Sequence, residues 1–309
     1  MSARHAALRV LLPAIFAINF ISATHYIHAQ QCNMAHDKNA LKALQERAAS
    51  GDADAQCGLG KQYEFALGVP RDNTKAALWL RQAAEQGNIV AQVELGVVFD
   101  KTQDYAQAFT WYSKAAERGN ARAQYNLGLC YLNGESVPKD TARALDLFRK
   151  AADQGDAIAE HELGWIYQDG VGVQQDYAQA ANYFRKSANQ GIAESQYGLG
   201  FLYLNGNGVP KDNALAAAWM LKAAEQGETK AQYNLGSCYI NGEGVNRDLD
   251  EGYFWIFLAK ARTTDSDLKG YAEKSLEALT KVMKKSDIKS AQKRAQTWLS
   301  EHPPLQTEQ

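Results

Sequence analysis

Motifs for catalysis and metal binding are scarce in this sequence. It contains no Cys-x-x-Cys pair, no phosphate-binding loop and no Gly-x-Ser-x-Gly nucleophile motif. Metal clusters, nucleotide sites and serine hydrolases are commonly built on those spacings, so these classes of site have no anchor here. His161 and Glu162 are adjacent but lack the His-Glu-x-x-His spacing that places two imidazoles on one helix face. We therefore expect no catalytic residue, cofactor or metal, and a His161 that faces solvent.

An excess of either charge is also missing. Lysine and arginine number 33 against 35 aspartates and glutamates, which gives a formal net charge of -2, and the two signs are interspersed. A basic stripe is what phosphate backbones require of a partner. The sequence therefore disfavours nucleic acid as a ligand.

Long apolar runs are rare, and the one present lies at the N-terminus, where residues 10–23 follow two arginines. This layout is typical of a signal peptide, which we assign to residues 1–29, with cleavage after Ala23 or Ala29. The run is shorter than the roughly 20 residues of a transmembrane helix, although a retained anchor is the alternative. We expect an exported protein, periplasmic or secreted, with no membrane span after signal removal.

Self-similarity is what the sequence has in abundance. Glycines recur at one phase of a repeating pattern: Gly51, Gly87, Gly119, Gly155, Gly191 and Gly227. Their successive separations are 36, 32, 36, 36 and 36 residues. A period of this length is the signature of a solenoid, whose units cannot bury their apolar faces alone.

Each unit reads as two amphipathic helices. In the third unit Ala123, Leu127 and Tyr131 recur at helical spacing, and Phe148 lies on the apolar face of the second helix. The predicted fold is all-α: an α/α solenoid, a right-handed superhelix, of about six hairpins with capping helices at both ends.

Glycines and acidic residues are placed to suit this fold. One glycine interrupts each first helix, which predicts that the two helix backbones nearly touch there. An aspartate such as Asp212 precedes most second helices as a cap. Ile192 and Glu228 stand where other repeats cap the next first helix with Asp or Asn, which predicts looser junctions. Ser187 replaces the first alanine of an Ala-Ala pair.

Domain boundaries follow from the same pattern. The solenoid is predicted over residues 37–262, beginning with a lone capping helix. Residues 263–302 form two lysine-rich helical patterns that would close the other end of the stack. Residues 303–309 are expected to be a disordered tail.

The four cysteines divide into two pairs. Cys130 and Cys238 occupy one slot of two different repeats and read as core residues. They lie three repeats apart, so they are too distant to bridge. Cys32 and Cys57 could form a disulfide, and two unpaired thiols are the alternative.

The patterns LG-x-x-Y-x-x-G-x-G-V-x-x-D and A-x-x-W-x-x-x-AA-E-Q-G carry a family likeness. Over about residues 37–262 the chain resembles the Sel-one-like repeat family, a branch of the tetratricopeptide repeat superfamily. The resemblance implies an adaptor of bacterial envelopes or eukaryotic quality-control complexes. It also implies that the first helices line a concave surface that receives a protein partner.

A helical wheel predicts which side chains form that surface. The outward positions carry aromatic and aliphatic residues: Tyr125, Leu129, His161, Trp165, Tyr197, Phe201 and Tyr233. Tyrosine and tryptophan dominate interface energetics, which favours docking of a protein or peptide. The alternative is that these residues pack against adjacent helices.

The predicted function is therefore an exported bacterial scaffold, monomeric and without enzymatic activity. It would bind a protein in envelope assembly, host interaction or virulence. A β-lactam-binding or hydrolysing enzyme is one alternative, because Ser-x-x-Lys occurs at Ser266, Ser286 and Ser290. Its Ser-Asp-Asn and Lys-Thr-Gly companions are absent, as are the paired cysteines of such relatives. A cell-wall glycan-binding module is the other alternative.

Overall fold

The computed structural model describes residues 38–303. The predicted signal peptide, Cys32 and the tail beyond Pro303 lie outside the described residues, so the pairing of Cys32 with Cys57 stays a prediction. Between residues 38 and 303 the chain forms fifteen α-helices and no strand. It divides into two compact units, one ending at Asp156 (unit 1) and one beginning at Ala157 (unit 2).

Unit 1 consists of a lone helix and three helical hairpins. Its helices are α1 (Lys38–Ala49), α2 (Ala53–Glu64), α3 (Asn73–Glu85), α4 (Ile89–Lys101), α5 (Tyr105–Glu117), α6 (Ala121–Asn133) and α7 (Thr141–Asp153). Each helix packs against the next in the chain. Consecutive pairing of this kind is typical of a solenoid and confirms the predicted hairpins.

Unit 2 contains three more hairpins and two closing helices. Its helices are α8 (Ala157–Asp169), α9 (Tyr177–Asn189), α10 (Ala193–Asn205), α11 (Asn213–Glu225), α12 (Thr229–Asn241), α13 (Leu249–Arg262), α14 (Ser266–Thr280) and α15 (Lys285–Glu301). Both α14 and α15 pack against α13. They cover the last hairpin, and α15 contributes Ala291 and Ala295 to the buried core.

The helix caps agree with the sequence except at one junction. Asp212 accepts a hydrogen bond from the backbone N–H of Leu215 at 2.9 Å, which satisfies an amide of the first turn of α11. Ile192 makes no side-chain cap, as expected. The prediction was wrong for Glu228, because its carboxylate accepts from the backbone N–H of Lys230 at 3.1 Å. A longer acid thus performs the capping role there.

The glycine of each first helix makes room for the second helix of the same hairpin. A β-carbon built on Gly128 would lie 2.6 Å from Cε1 of Phe148, and one on Gly164 would lie 2.5 Å from Cδ1 of Phe184. Both phenylalanines are fully buried. In these two repeats the nearest neighbour is therefore an aromatic ring, and at Gly128 the backbone carbonyl oxygen of Ala144 also lies close, 3.3 Å away, as the sequence predicted. The ring seals the hairpin core, and a methyl group at the glycine would displace it.

A second close approach lies in unit 2, in the loop after α10. Gly208 has a positive φ of +67°, and a β-carbon there would lie 2.2 Å from the carbonyl carbon of Tyr177. Tyr177 begins α9 of the preceding hairpin. The loop therefore rests directly on the start of that helix, and only glycine fits the contact.

No helix between residues 38 and 303 has both the length and the apolar composition needed to cross a bilayer.

Candidate functional site

Of the seven residues predicted to form the partner surface, Tyr125 and Leu129 lie in unit 1 and differ in exposure. Tyr125 is only 2% exposed. Its ring lies 5.5 Å from that of Phe148, so the side chain packs within its own hairpin. Leu129, one turn further along α6, is half-buried. Tyr125 is therefore a core residue, whereas Leu129 is partly accessible to solvent.

The other five residues predicted to form this surface lie in unit 2 and range from buried to exposed. His161 is 4% exposed, so the expectation that it faces solvent was wrong. Trp165, Tyr197 and Tyr233 are half-buried, and Phe201 is 37% exposed. The accessible part of this set is thus aromatic.

A directed chain of hydrogen bonds explains the burial of His161. The Nε1–H of Trp165 donates to Nε2 of His161 at 3.1 Å. Because Nε2 accepts, the proton of the neutral imidazole is on Nδ1, which lies 2.8 Å from the hydroxyl of Ser195. Ser195 donates to Ser187 at 2.8 Å. Ser187 ends the chain by donating to the carbonyl oxygen of Ala157 at 2.8 Å.

This network is confined to one repeat junction. The position of Ser187 holds alanine in all five other repeats, as at Ala151, and the position of Ser195 likewise holds alanine in every other repeat, as at Ala123. Burial lowers the pKa of His161 to about 4, so the imidazole is neutral near pH 7. Each buried polar side chain of this hydrogen-bond network has a partner.

The network holds Trp165 in a fixed orientation. Its indole packs edge-on against Phe184, with ring centroids 5.3 Å apart and planes at 78°. One end of the indole is anchored by His161 while part of the ring stays accessible. A half-buried aromatic that is held before binding loses little entropy when a partner docks.

Helices α10 and α12 add the neighbouring part of the surface. The rings of Tyr197 and Phe201 lie 6.2 Å apart on α10. The Nδ2 group of Asn234 donates to the hydroxyl of Tyr197 at 3.5 Å. Tyr233, in contrast, reaches the hydroxyl of Ser275 at 3.4 Å, so it also contacts α14. Of the α10 and α12 aromatics, Phe201 is therefore the most available to a partner.

Two acidic residues also lie at this surface, and the helical-wheel prediction did not include them. Glu194 lies one turn before Tyr197, and Glu228 caps the next repeat. Burial, together with the charge of the nearby Glu194, raises the pKa of Glu228 to about 7. The departure of Glu228 from the Asp or Asn usual at that position was the available signal.

The serines of the Ser-x-x-Lys patterns and the core cysteines lie outside this surface. The three serines of the Ser-x-x-Lys patterns are exposed on α14 and α15, as are their lysines. Cys130 and Cys238 are buried and confirmed as core residues. Burial raises the pKa of both thiols, to about 12 and about 11 respectively, which keeps them protonated and unreactive.

Each repeat is a pair of helices that pack closely at a glycine of the first helix. This arrangement defines the class of protein as a helical-repeat scaffold. The model of the Sel1 repeat matches six successive segments: residues 53–88, 89–120, 121–156, 157–192, 193–228 and 229–262. The chain belongs to the Sel1 repeat family. This fold is typically a non-catalytic scaffold, and proteins built on it generally mediate protein interactions. No curated protein matches the chain.

Solved structures of two bacterial proteins are similar. One is a protective antigen present in uropathogenic Escherichia coli strains, which displays an SLR fold and is 34% identical with a TM-score of 0.78. The match covers 87% of this chain but only 57% of the antigen. The other is a Sel1 repeat protein from Oxalobacter formigenes, 33% identical with a TM-score of 0.68, covering 82% of this chain and 76% of that protein.

Proposed function

We propose that this protein is an exported bacterial scaffold that binds a protein or peptide partner through the first helices of its repeats. Its role would lie in envelope assembly, host interaction or virulence. The partner docks on the aromatic surface of unit 2, where Trp165, Tyr197 and Phe201 contribute accessible rings. The protein acts in the periplasm or outside the cell, as a monomer.

The observation that carries this proposal is the held indole of Trp165. A buried chain of four hydrogen bonds, unlike any other junction of the repeat pattern, ends on a residue whose ring is partly accessible. Packing alone does not require such a chain, because the other repeats use alanine in the same slots. Fixed aromatic side chains are common binding hot spots.

Two further points support export. The N-terminal segment has the layout of a signal peptide. The Escherichia coli relative is a protective antigen. A protein that acts in the envelope or outside the cell is consistent with both.

The test is capture of partners from the native envelope by purified protein, comparing Trp165→Ala and Phe201→Ala with the wild type. We expect each substitution to weaken capture of the same partner by at least about tenfold, a loss typical of a hot-spot aromatic. Leu215→Ala is the matched control, because Leu215 is 44% exposed but lies on the second helix α11. Equal capture by all variants, with unchanged helical circular dichroism, would rule out this surface.

A further inference from the structure

One face of α10 joins an apolar end to an acidic end. Glu194, Tyr197 and Phe201 are spaced at i, i+3 and i+7 and so share a face of the helix, which we call the α10 face. Phe201 offers an exposed ring at one end. At the other end, the Oε2 atom of Glu194 is buried and has no hydrogen-bond partner. The face therefore combines an accessible apolar contact with an unsatisfied acceptor.

A second carboxyl group lies beside Glu194. The charge of Glu194 acts directly on Glu228, and that of Glu228 acts on the hydroxyl of Tyr197, so the three side chains form one cluster. Lys230 is the opposing charge: it lies two residues beyond Glu228 and is itself exposed. With both carboxyls ionised, the cluster carries a net charge of about -1.

The first repeats show how this pair of slots is satisfied elsewhere. In unit 1 the slots of Glu194 and Glu228 hold Asp54 and Asn88, and the Nδ2 group of Asn88 donates to Oδ1 of Asp54 at 2.7 Å. An amide and a carboxylate satisfy each other. Two ionised carboxylates cannot, because neither has a proton to donate. A cation with several N–H donors, placed between them, would satisfy both.

We propose that the α10 face receives an extended segment of a partner protein in which a lysine or arginine lies about three residues from an aromatic or large aliphatic side chain. The cation sits between Glu194 and Glu228, and the apolar side chain packs on Phe201. The spacing follows from geometry: seven helical residues span about 10 Å, and an extended chain covers that distance in about three residues. This inference rests on the partner-binding function proposed above and specifies the chemistry of the partner.

The test is selection of a displayed library of random dodecapeptides on the purified chain and on three variants. Wild-type protein is expected to enrich peptides with Lys or Arg three positions from Phe, Tyr, Trp, Leu or Met. Glu194→Gln/Glu228→Gln is expected to keep the apolar preference and lose the basic one, and Phe201→Ala to lose the apolar preference. Glu225→Gln/Glu243→Gln, which changes two exposed carboxylates, is the matched control and should select like the wild type.

The outcomes separate the two proposals. A first outcome is enrichment that depends on Phe201 and yet shows no preference for basic residues, or shows a preference for acidic ones. Either result overturns this inference but not the proposed binding function. Absence of any enrichment that depends on Phe201 overturns both. Self-association of the chain that buries Phe201, seen by sedimentation, would also contradict the inference, since the occupant would then be a second copy.

Affinity for one enriched peptide gives an independent readout. We expect the double glutamine variant to bind it at least about tenfold more weakly, because both carboxylates that would hold the cation lose their charge. Wild-type affinity should rise by about tenfold between pH 6 and pH 8, because a cation prefers the ionised form of Glu228, whose pKa is about 7. Affinity independent of pH, together with no effect of the glutamine variant, would contradict the placement of the cation.

Discussion

Removing one serine from the hydrogen-bond network at His161 should cost more unfolding free energy than replacing His161, Ser187 and Ser195 together. Ser187→Ala deletes the acceptor for the hydroxyl of Ser195 and breaks the contact with the carbonyl of Ala157. Both serines are fully buried, so the remaining hydroxyl cannot reach water. An orphaned buried polar group costs about 1 to 3 kcal/mol, and we expect that loss of unfolding free energy.

Ser195→Ala should cost a similar amount, because it leaves the Nδ1–H of His161 without an acceptor. The triple variant His161→Tyr/Ser187→Ala/Ser195→Ala installs the residues found at the same positions one repeat earlier, Tyr125, Ala151 and Ala159, and Tyr125 there packs on Phe148. It removes the buried polar side chains of the network together, and the Nε1–H of Trp165, which loses its acceptor, lies on a half-buried ring. We expect its free energy of unfolding to lie within about 1 kcal/mol of the wild type, since removing the buried partners together avoids leaving one of them unsatisfied.

Urea unfolding followed by far-ultraviolet circular dichroism measures these differences as shifts in the midpoint at constant slope. Ser290→Ala, at an exposed serine of α15, is the control and should leave the midpoint unchanged. A triple variant that loses as much stability as the two single variants combined would refute the reasoning. The chain would then be stabilising in itself and not a mutually dependent set.

Three further predictions concern packing and protonation. Gly208→Ala should destabilise by about 1 to 3 kcal/mol more than Gly191→Ala in urea unfolding, because both glycines have positive φ but only Gly208 touches backbone; equal losses would argue against the close contact. Burial raises the pKa of Glu162 from 4.5 to about 7, so stability falls as pH rises through that window. Glu162→Gln should therefore be about 1 to 3 kcal/mol more stable than the wild type at pH 8 and equal to it at pH 4.5, and a variant no more stable at pH 8 would contradict this. Cys238 should react with iodoacetamide at pH 8 only in denaturant, as followed by mass spectrometry, and rapid native labelling would contradict its burial.

The repeat pattern was sufficient to predict the hairpins because each one is a local structure. Helical periodicity, a capping acid and a terminal glycine all lie within one repeat, so they can be read without knowledge of distant contacts. The partner of the helix glycine could not be read in this way. Whether Gly164 meets a backbone or the ring of Phe184 depends on the rotation of the second helix, which the period does not specify.

The surface was predicted less well than the fold. A helical wheel places His161 outward from its own hairpin, yet in the stack that direction holds Ser195 of the next repeat. The available signal was three departures from the repeat pattern, at His161, Ser187 and Ser195. Only the structure shows that these three residues contact each other. Glu194 and Glu228 were missed for the same reason, since they lie in different repeats.

The central claim is that a partner segment lies on the first-helix surface of unit 2. A photoreactive benzoylphenylalanine placed at position 201, compared with one at position 215, tests it in intact cells grown under native expression. Irradiation is expected to crosslink a discrete partner from position 201 and none from position 215, two sites of similar exposure on α10 and α11. Crosslinking from position 215 alone, or equal crosslinking from both, would contradict it.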